Sequence, residues 1–398
     1  METTVLTESI DQLHHQVTES LGAFQCQHEE ADRVAALKAA QKLVNALQKP
    51  QDSVYHLAYS PTHALCVRIA IDMSIFTTLT ERNGPVSLNE LAAVKNASPI
   101  LVERVLRVLV GIDYVGEYDT RVYTATTMTR QMTDRLSISV IKFIFDIGMP
   151  TLAKIPEFLR DKGHQNPEGI MNGPFQFAEK IDEPIWTWFQ RNPERLDLSN
   201  TFMEADRGAR PSWLEWFPVE ERLLCGAHPD AETLMVDVAG GRGHDLAAFL
   251  ERYPDAKGRL VLQDLPHVLE ESTINTERIE KQPFDLFKPQ PIHGARIYYM
   301  KFILHDWSDK DSQAILTQLA GALKQGYSKL IIEEFVLADR DGAMLPAMWD
   351  WEMMIFCNSM ERSQSNWTCL LESAGFQVIK FWAPPGDGQG IIEAELKQ

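Results

Sequence analysis

The chain has 398 residues, too many for one compact core, so two or more domains are expected. Its 44% hydrophobic and 24% charged residues are ordinary for a globular protein, and the net charge of -18 argues against nucleic acid or an anionic membrane as partner, since both reward clustered Lys and Arg. The five cysteines (Cys26, Cys66, Cys225, Cys357, Cys369) are odd in number and form no CxxC pair, which predicts reduced thiols in a cytosolic protein and no zinc site.

The first stretch, "METTVLTESIDQLHHQVTESL", is polar and acidic, without a basic n-region or apolar h-region, so no signal or transit peptide is predicted. No window approaches about 18 uninterrupted apolar residues, so no membrane span is expected. A soluble, cytoplasmic protein is the expectation. "ADRVAALKAAQKLVNALQ" (31–48) carries apolar residues at helical spacing and is expected to stop at Pro50. "HALCVRIAIDMSIFTTLTE" (63–81) is more apolar and predicts a buried or subunit-facing helix. "VSLNELAAVKN" follows, with Ser87 as N-cap, then "SPILVERVLRVLVGIDYV", with Ser98 as cap and Pro99 at the first helical position. "YVGEYDTRVYTAT" alternates around a turn as a β-hairpin does.

Three helices and a two-stranded wing are the pattern of a winged helix. DNA binding is its usual use, but "LVERVLRVLV" offers only Arg104 and Arg107, so a structural or dimerising use is expected instead. Residues 141–220 read as a helical connector rich in aromatics, whose plainer role is core. The expected organisation is thus a helical domain over 1–215 and an α/β domain over 216–398.

From about residue 225 strands and helices alternate. "LMVDVA", "RLVLQD", "RIYYMKF", "KLIIEEFVL" and "FQVIKFWA" read as strands, with "HDLAAFLERY", "KDSQAILTQLAGALK" and "WTCLLESAG" as helices between them. This predicts a mainly parallel, doubly wound Rossmann-like sheet with ligands at the carboxyl ends of its strands.

The most informative stretch is "LMVDVAGGRGHDLAAFLERYP" (234–254), in which Asp237 ends a strand and Gly240, Gly241 and Gly243 follow. Neither GxxxxGK[ST] nor GxGxxG is present. An acid at the end of this strand would repel a pyrophosphate. It would suit S-adenosylmethionine, whose ammonium and sulfonium are cationic and which has no phosphate. Asp264 ends the next strand, where it can accept hydrogen bonds from a ribose diol.

With these motifs in order, "VDVAGGRGHDLAAFLERYP…GRLVLQDLPHV…PFDLFKPQP…YYMKFILHDWSD…LIIEEFVL…MERSQSNWTCLLESAGF" resembles the S-adenosylmethionine-dependent small-molecule O-methyltransferases of the caffeate/flavonoid type, in particular their fungal secondary-metabolite branch. The resemblance implies a class I methyltransferase domain, a homodimer, S-adenosylhomocysteine as product and no metal. It places Gly241 and the adjoining loop, with Gly240 and Gly243, near the methionyl part of the cofactor, Asp264 near the ribose, and Asp285 and Leu286 at the adenine; Asp237 and Leu265 are further cofactor-binding candidates. Lys301 stands where the family has a cofactor-contacting lysine. Ala239 departs from the family's usual glycine.

"KFILHDWSD" puts His305 just beyond a strand end. A phenol, with a pKa of about 10, must lose its proton to become a good nucleophile, and an imidazole with a pKa of about 6.5 can take it at neutral pH. In the family's pattern two glutamates flank this histidine, here Glu334 and Glu361. Strand alternation turns Glu333 to the other face. The acceptor pocket implied by the resemblance is lined by Phe202 and Met203 of the "NTFM" helix, by Asp306, and by Met353, Met354, Phe356 and Asn358 of "DWEMMIFCN". Methionines and aromatics there suit a flat apolar acceptor. A relative that binds the cofactor but catalyses a dehydration or pericyclic step is the alternative, and a winged-helix binding protein a weaker one.

Overall fold

The structure is a computed structural model that describes residues 8–397 apart from 209, 229–232, 275, 341 and 387; the first seven residues of the polar N-terminal stretch lie outside them. The chain forms two compact units, Met1–Ala153 with Trp186–Ala209, and Lys154–Ile185 with Arg210–Gln398.

The first unit is helical. Helices Ile10–Gln27 and Glu30–Leu47 lie against each other, and Pro50 opens a new helix at its first position rather than only ending the previous one. The apolar run 63–81 is two helices, not one: Pro61–Asp72 and Ile75–Arg82 are separated by Ser74 in a left-handed conformation (φ 57°). Ser87 caps Leu88–Ala93 through a reciprocal bond with Glu90. Ser98 occupies the cap position of Pro99–Gly111 without a side-chain capping bond. The hairpin forms from Val115–Asp119 and Val122–Ala125, with Val86–Ser87 as a third short strand. Phe76, Leu79, Leu91, Val105, Leu106 and Leu109 are buried together at the centre of this module.

Within the same unit Phe202, on the helix Pro193–Gly208, stacks on Phe143 with centroids 4.3 Å apart. One helical run among the described residues, Arg135–Asp161, is long and apolar enough on those two measures alone to cross a membrane. Its Asp146 is held by Arg68 at 2.9 Å.

The second unit carries a seven-stranded sheet: β1 Thr233–Val238, β2 Arg259–Asp264, β3 Ile279–Pro283, β4 Ile297–Lys301, β5 Lys329–Glu334, β6 Phe376–Trp382 and β7 Gly390–Leu396. Their order is β6-β7-β5-β4-β1-β2-β3, parallel except for β7, which runs antiparallel to both its neighbours. All six residues of β1 are buried, as a central parallel strand requires. Alternation divides the core between the two faces. Val236, Tyr298, Met300, Leu330 and Ile332 pack with Ile315, Leu319, Trp367 and Leu371, whereas Met235, Leu262, Tyr299 and Ile331 pack with Trp213, Leu246 and Phe249. The strand order reverses between β1 and β4, so the carboxyl ends of these two strands border the crevice in which such sheets bind ligands.

Candidate active site

At the end of β1 the backbone turns through three left-handed residues, Ala239 (φ 59°), Gly241 (φ 61°) and Gly243 (φ 83°). A left-handed alanine costs about 1–2 kcal/mol relative to its right-handed form, so the loop is strained at Ala239. Gly240 is the tightest point: a Cβ there would lie 2.3 Å from the buried carboxylate of Asp237. No larger residue fits between that acid and the loop.

Asp264 ties the neighbouring strand to this turn, accepting the N–H of Gly241 (2.8 Å) and of Leu265 (2.7 Å). Burial raises its pKa, and the two backbone donors oppose that shift. Further along the edge, Asp285 accepts the N–H of Phe287 (3.0 Å), and Leu286 packs on the core. The Phe287 ring stands edge-on to Trp307 with centroids 4.9 Å apart.

Lys301, the last residue of β4, is mostly buried between Asp245 (3.2 Å) and Glu333 (3.1 Å). Glu333 also accepts the hydroxyl of the buried Tyr299, whose ring stacks on Trp213. The alternation expected for β5 is therefore seen: Glu333 faces this cluster, and Glu334 faces the histidine. Asp237, Asp245 and Glu333 all lie close enough to the buried Tyr299 for their charges to raise its pKa, and Lys301 pairs with the last two.

His305 sits on a short turn, Leu304–Asp306, and is buried. Its Nδ1 lies 2.7 Å from Glu361 and 3.4 Å from Glu334, and its Nε2 lies 3.7 Å from Asp306. Glu334 braces the turn as well, accepting the N–H groups of Ile303 (3.0 Å) and Leu304 (3.1 Å) through one oxygen. Asp350 fixes Glu361 by accepting its backbone N–H at 2.7 Å. Burial alone would depress the imidazole's pKa, but the carboxylates of Glu334, Glu361 and Asp306 outweigh it and push it up to about 10. The ordinary value near 6.5 used for the sequence does not hold, because three acids converge on one buried ring. Burial, opposed by His305 and reinforced by Glu361, raises Glu334 to about 7.

The donor types of His305, Glu334 and Glu361 are those of a divalent-metal site. Nδ1 bonds Glu361 at 2.7 Å and one oxygen of Glu334 takes two backbone donors, while the second oxygen of each glutamate is buried without a hydrogen-bond partner.

No motif in the sequence marks Arg362. Its fully buried guanidinium donates to the carbonyls of Leu304 (2.7 Å) and Trp307 (2.8 Å) and to Asp309 (2.8 Å), clamping the turn on both sides of His305. Nothing in "MERS" distinguishes this arginine from a solvated one. The thiol of Cys357 donates to Asp306 at 3.1 Å and links the helix Met344–Cys357 to the same turn.

On that helix Met353 is buried and Met354 and Phe356 are half-buried, Phe356 tilting against Phe175 at 6.0 Å. Asn358, expected to face an acceptor, caps the helix with φ 54° and donates Nδ2 to the carbonyl of Gly169 (2.6 Å). Its Oδ1 lies against Gly173, where a Cβ would come within 1.6 Å, and is buried without a hydrogen-bond partner. Phe202 and Met203 belong to the other unit, where Met203 is exposed.

Glu352, on the same helix, has one carboxylate oxygen shut off from solvent with no hydrogen-bond partner, and burial raises its pKa to about 7. A carboxyl raised above its unfolded value favours the folded state least when ionised, so its cost is absent well below pH 4.5 and grows as pH climbs toward 7. Glu352→Gln is expected to stabilise the protein by roughly 1–3 kcal/mol at pH 8 and by much less at pH 5. Thermal melts at both pH values check this, and an equal change at both would contradict it.

Residues 221–377 match the model of the O-methyltransferase domain, and residues 55–135 that of the O-methyltransferase dimerisation domain. The chain is 35% identical to O-methyltransferase penC of Penicillium thymicola over 364 residues, 91% of each chain. It is 37% identical to O-methyltransferase asqD of Emericella nidulans over 337 residues, 84% of this chain and 87% of that one. Among solved structures, LepI in complex with S-adenosylmethionine aligns with a TM-score of 0.86 at 25% identity, covering 97% of this chain and 99% of that chain. OxaC, solved with sinefungin and meleagrin, aligns with a TM-score of 0.82 at 24% identity, covering 98% and 99%. The chain belongs to the S-adenosylmethionine-dependent O-methyltransferase family.

Proposed function

We propose that this enzyme methylates a hydroxyl group of an aromatic or polyketide-type secondary metabolite, with His305 as the general base. The observation that carries this reading is the buried cluster in which Glu361 and Glu334 both face Nδ1 of His305, while Nε2, 3.7 Å from Asp306 and so beyond hydrogen-bond distance of that carboxylate, can take a substrate proton.

The residues around the glycine turn fit S-adenosylmethionine. Gly240 leaves a bare backbone over Asp237, and a carboxylate at that place suits its cationic groups. Asp264 would take the ribose hydroxyls while continuing to hold Gly241, and Asp285 and Leu286 would border the adenine. When bound, this cofactor supplies an electrophilic methyl group. The protein's own residues then have three tasks: to hold the acceptor hydroxyl, to remove its proton, and to exclude water. His305 performs the second. Its conjugate acid, with a pKa of about 10, matches a phenol, so proton transfer between them is nearly thermoneutral. Glu334 and Glu361 stabilise the imidazolium that results, much as a carboxylate does in a hydrolase triad.

Replacing Asp264 with Ala is expected to weaken S-adenosylmethionine binding by roughly 1–3 kcal/mol, through the lost ribose partner and the released Gly241. Calorimetry giving an unchanged affinity would remove Asp264 from the site.

The reaction itself is tested by incubating the enzyme with S-adenosylmethionine and a panel of hydroxylated aromatics and pyridones. Equal amounts of S-adenosylhomocysteine and methyl ether are expected. The likeness to a structure described as a pericyclic reaction enzyme, at 25% identity, favours a second reading in which the cofactor is retained and no methyl moves. An acceptor that is consumed by dehydration or cyclisation without S-adenosylhomocysteine would establish that reading and overturn the first.

A further inference from the structure

Phe302 is the residue between Lys301, at the end of β4, and the turn that carries His305. Its φ is 52°, in the left-handed region that glycine occupies readily and a bulky aromatic rarely does. The strain is kept in place by its surroundings. The Phe302 N–H donates to the carbonyl of Glu333 (3.2 Å), and the next two N–H groups reach the carboxylate of Glu334. The ring lies nearly parallel to the imidazole of His305, with centroids 5.1 Å apart and planes 22° apart. Behind it stands an aromatic wall: Phe335 at 5.9 Å from Phe302, then Trp349 at 5.3 Å from Phe335.

A residue that only had to turn the chain here would be better served by glycine. A strained side chain that persists beside reactive groups points to a use for the side chain itself. The carboxylates of Glu361, Glu334 and Asp306 constrain the imidazole only at its nitrogens, leaving its faces to be held by packing.

We infer that Phe302 is a positioning residue: its ring, backed by Phe335 and Trp349, fixes the plane of the His305 imidazole so that Nδ1 stays on the two glutamates and Nε2 stays aimed at the acceptor. This rests on the reading of His305 as the base. A ring free to rock about its Nδ1 contact would present Nε2 correctly for only part of the time, and an ångström of misplacement can cost about 10²-fold in rate.

Three variants separate ring from backbone. Phe302→Gly relieves the left-handed conformation and removes the ring, Phe302→Leu removes the ring alone, and Phe302→Trp restores an aromatic face. Turnover is expected to fall roughly 10- to 100-fold in the first two, with cofactor affinity and acceptor KM within about twofold of the parent, and to recover largely in the third. Imidazole NMR signals of histidine-labelled protein, assigned to His305 by its loss in His305→Gln, should be single in the parent and broadened or doubled in Phe302→Gly. Parent-like turnover in Phe302→Gly, or an equal loss in Phe302→Trp, would overturn the proposal. If His305→Gln itself keeps full turnover, it is the base reading that fails. The NMR signals of Phe302→Gly would still report whether the ring orders the imidazole.

Discussion

His305→Gln is expected to lower methyl-transfer turnover by about 10²- to 10⁴-fold while leaving S-adenosylmethionine affinity nearly unchanged. The amide keeps much of the imidazole's size and can donate a hydrogen bond to Glu361, but it has no basic nitrogen near the acceptor. The contribution of positioning and water exclusion remains, which sets the floor on the loss. Because Asp237, Asp264 and the glycine turn are built from other elements, calorimetric affinity is the control that the fold is intact. Turnover within a few-fold of the parent would show that the acceptor proton leaves by another route.

Glu361→Gln is expected to move the pH dependence of the reaction. His305 must be neutral to accept a proton. With its pKa pushed up to about 10, the neutral fraction rises about tenfold per pH unit across the neutral range, so the parent's rate climbs with pH toward that value. Removing the nearest carboxylate, 2.7 Å from Nδ1, takes away one of the causes of that shift and leaves Glu334 and Asp306. The limb should therefore slide toward lower pH by about 1–3 units. The plateau should drop roughly tenfold or more, since the imidazolium formed in the reaction loses its closest partner. The variant's defect is thus smallest in acid and largest in alkali. Parallel profiles displaced only vertically would mean that Glu361 does not act through the charge state of His305.

Much of the sheet is legible in the sequence because central parallel strands are uninterrupted apolar runs, such as "LMVDV" and "KLIIEE". The strand Ile279–Pro283 is not, since "IEKQP" sits at a sheet edge and buries only Ile279. Nor is Gly390–Leu396, which follows a stretch rich in proline and glycine and joins the sheet antiparallel. The break at Ser74 carries no glycine or proline to announce it. Of the site, His305 and its two glutamates are marked by motif and spacing. Their effect on one another is not, because residues 305, 334 and 361 meet only in the folded sheet. The same holds for Lys301, whose partner Asp245 lies 56 residues away, and for Asn358, whose Nδ2 donates to Gly169. Side-chain type says what a residue is able to do, but only the packing decides which groups remain available to do it.

Whether His305 takes the proton of the acceptor hydroxyl is decided by the rate ratio of parent to His305→Gln over a series of phenolic acceptors of graded acidity at one pH. A base is needed in proportion to how firmly the acceptor holds its proton. The ratio should be about 10²–10⁴ for a phenol with a pKa of about 10 and should shrink toward one for acceptors already ionised at the assay pH. A ratio that stays constant across the series would show that His305 orders the acceptor without receiving its proton.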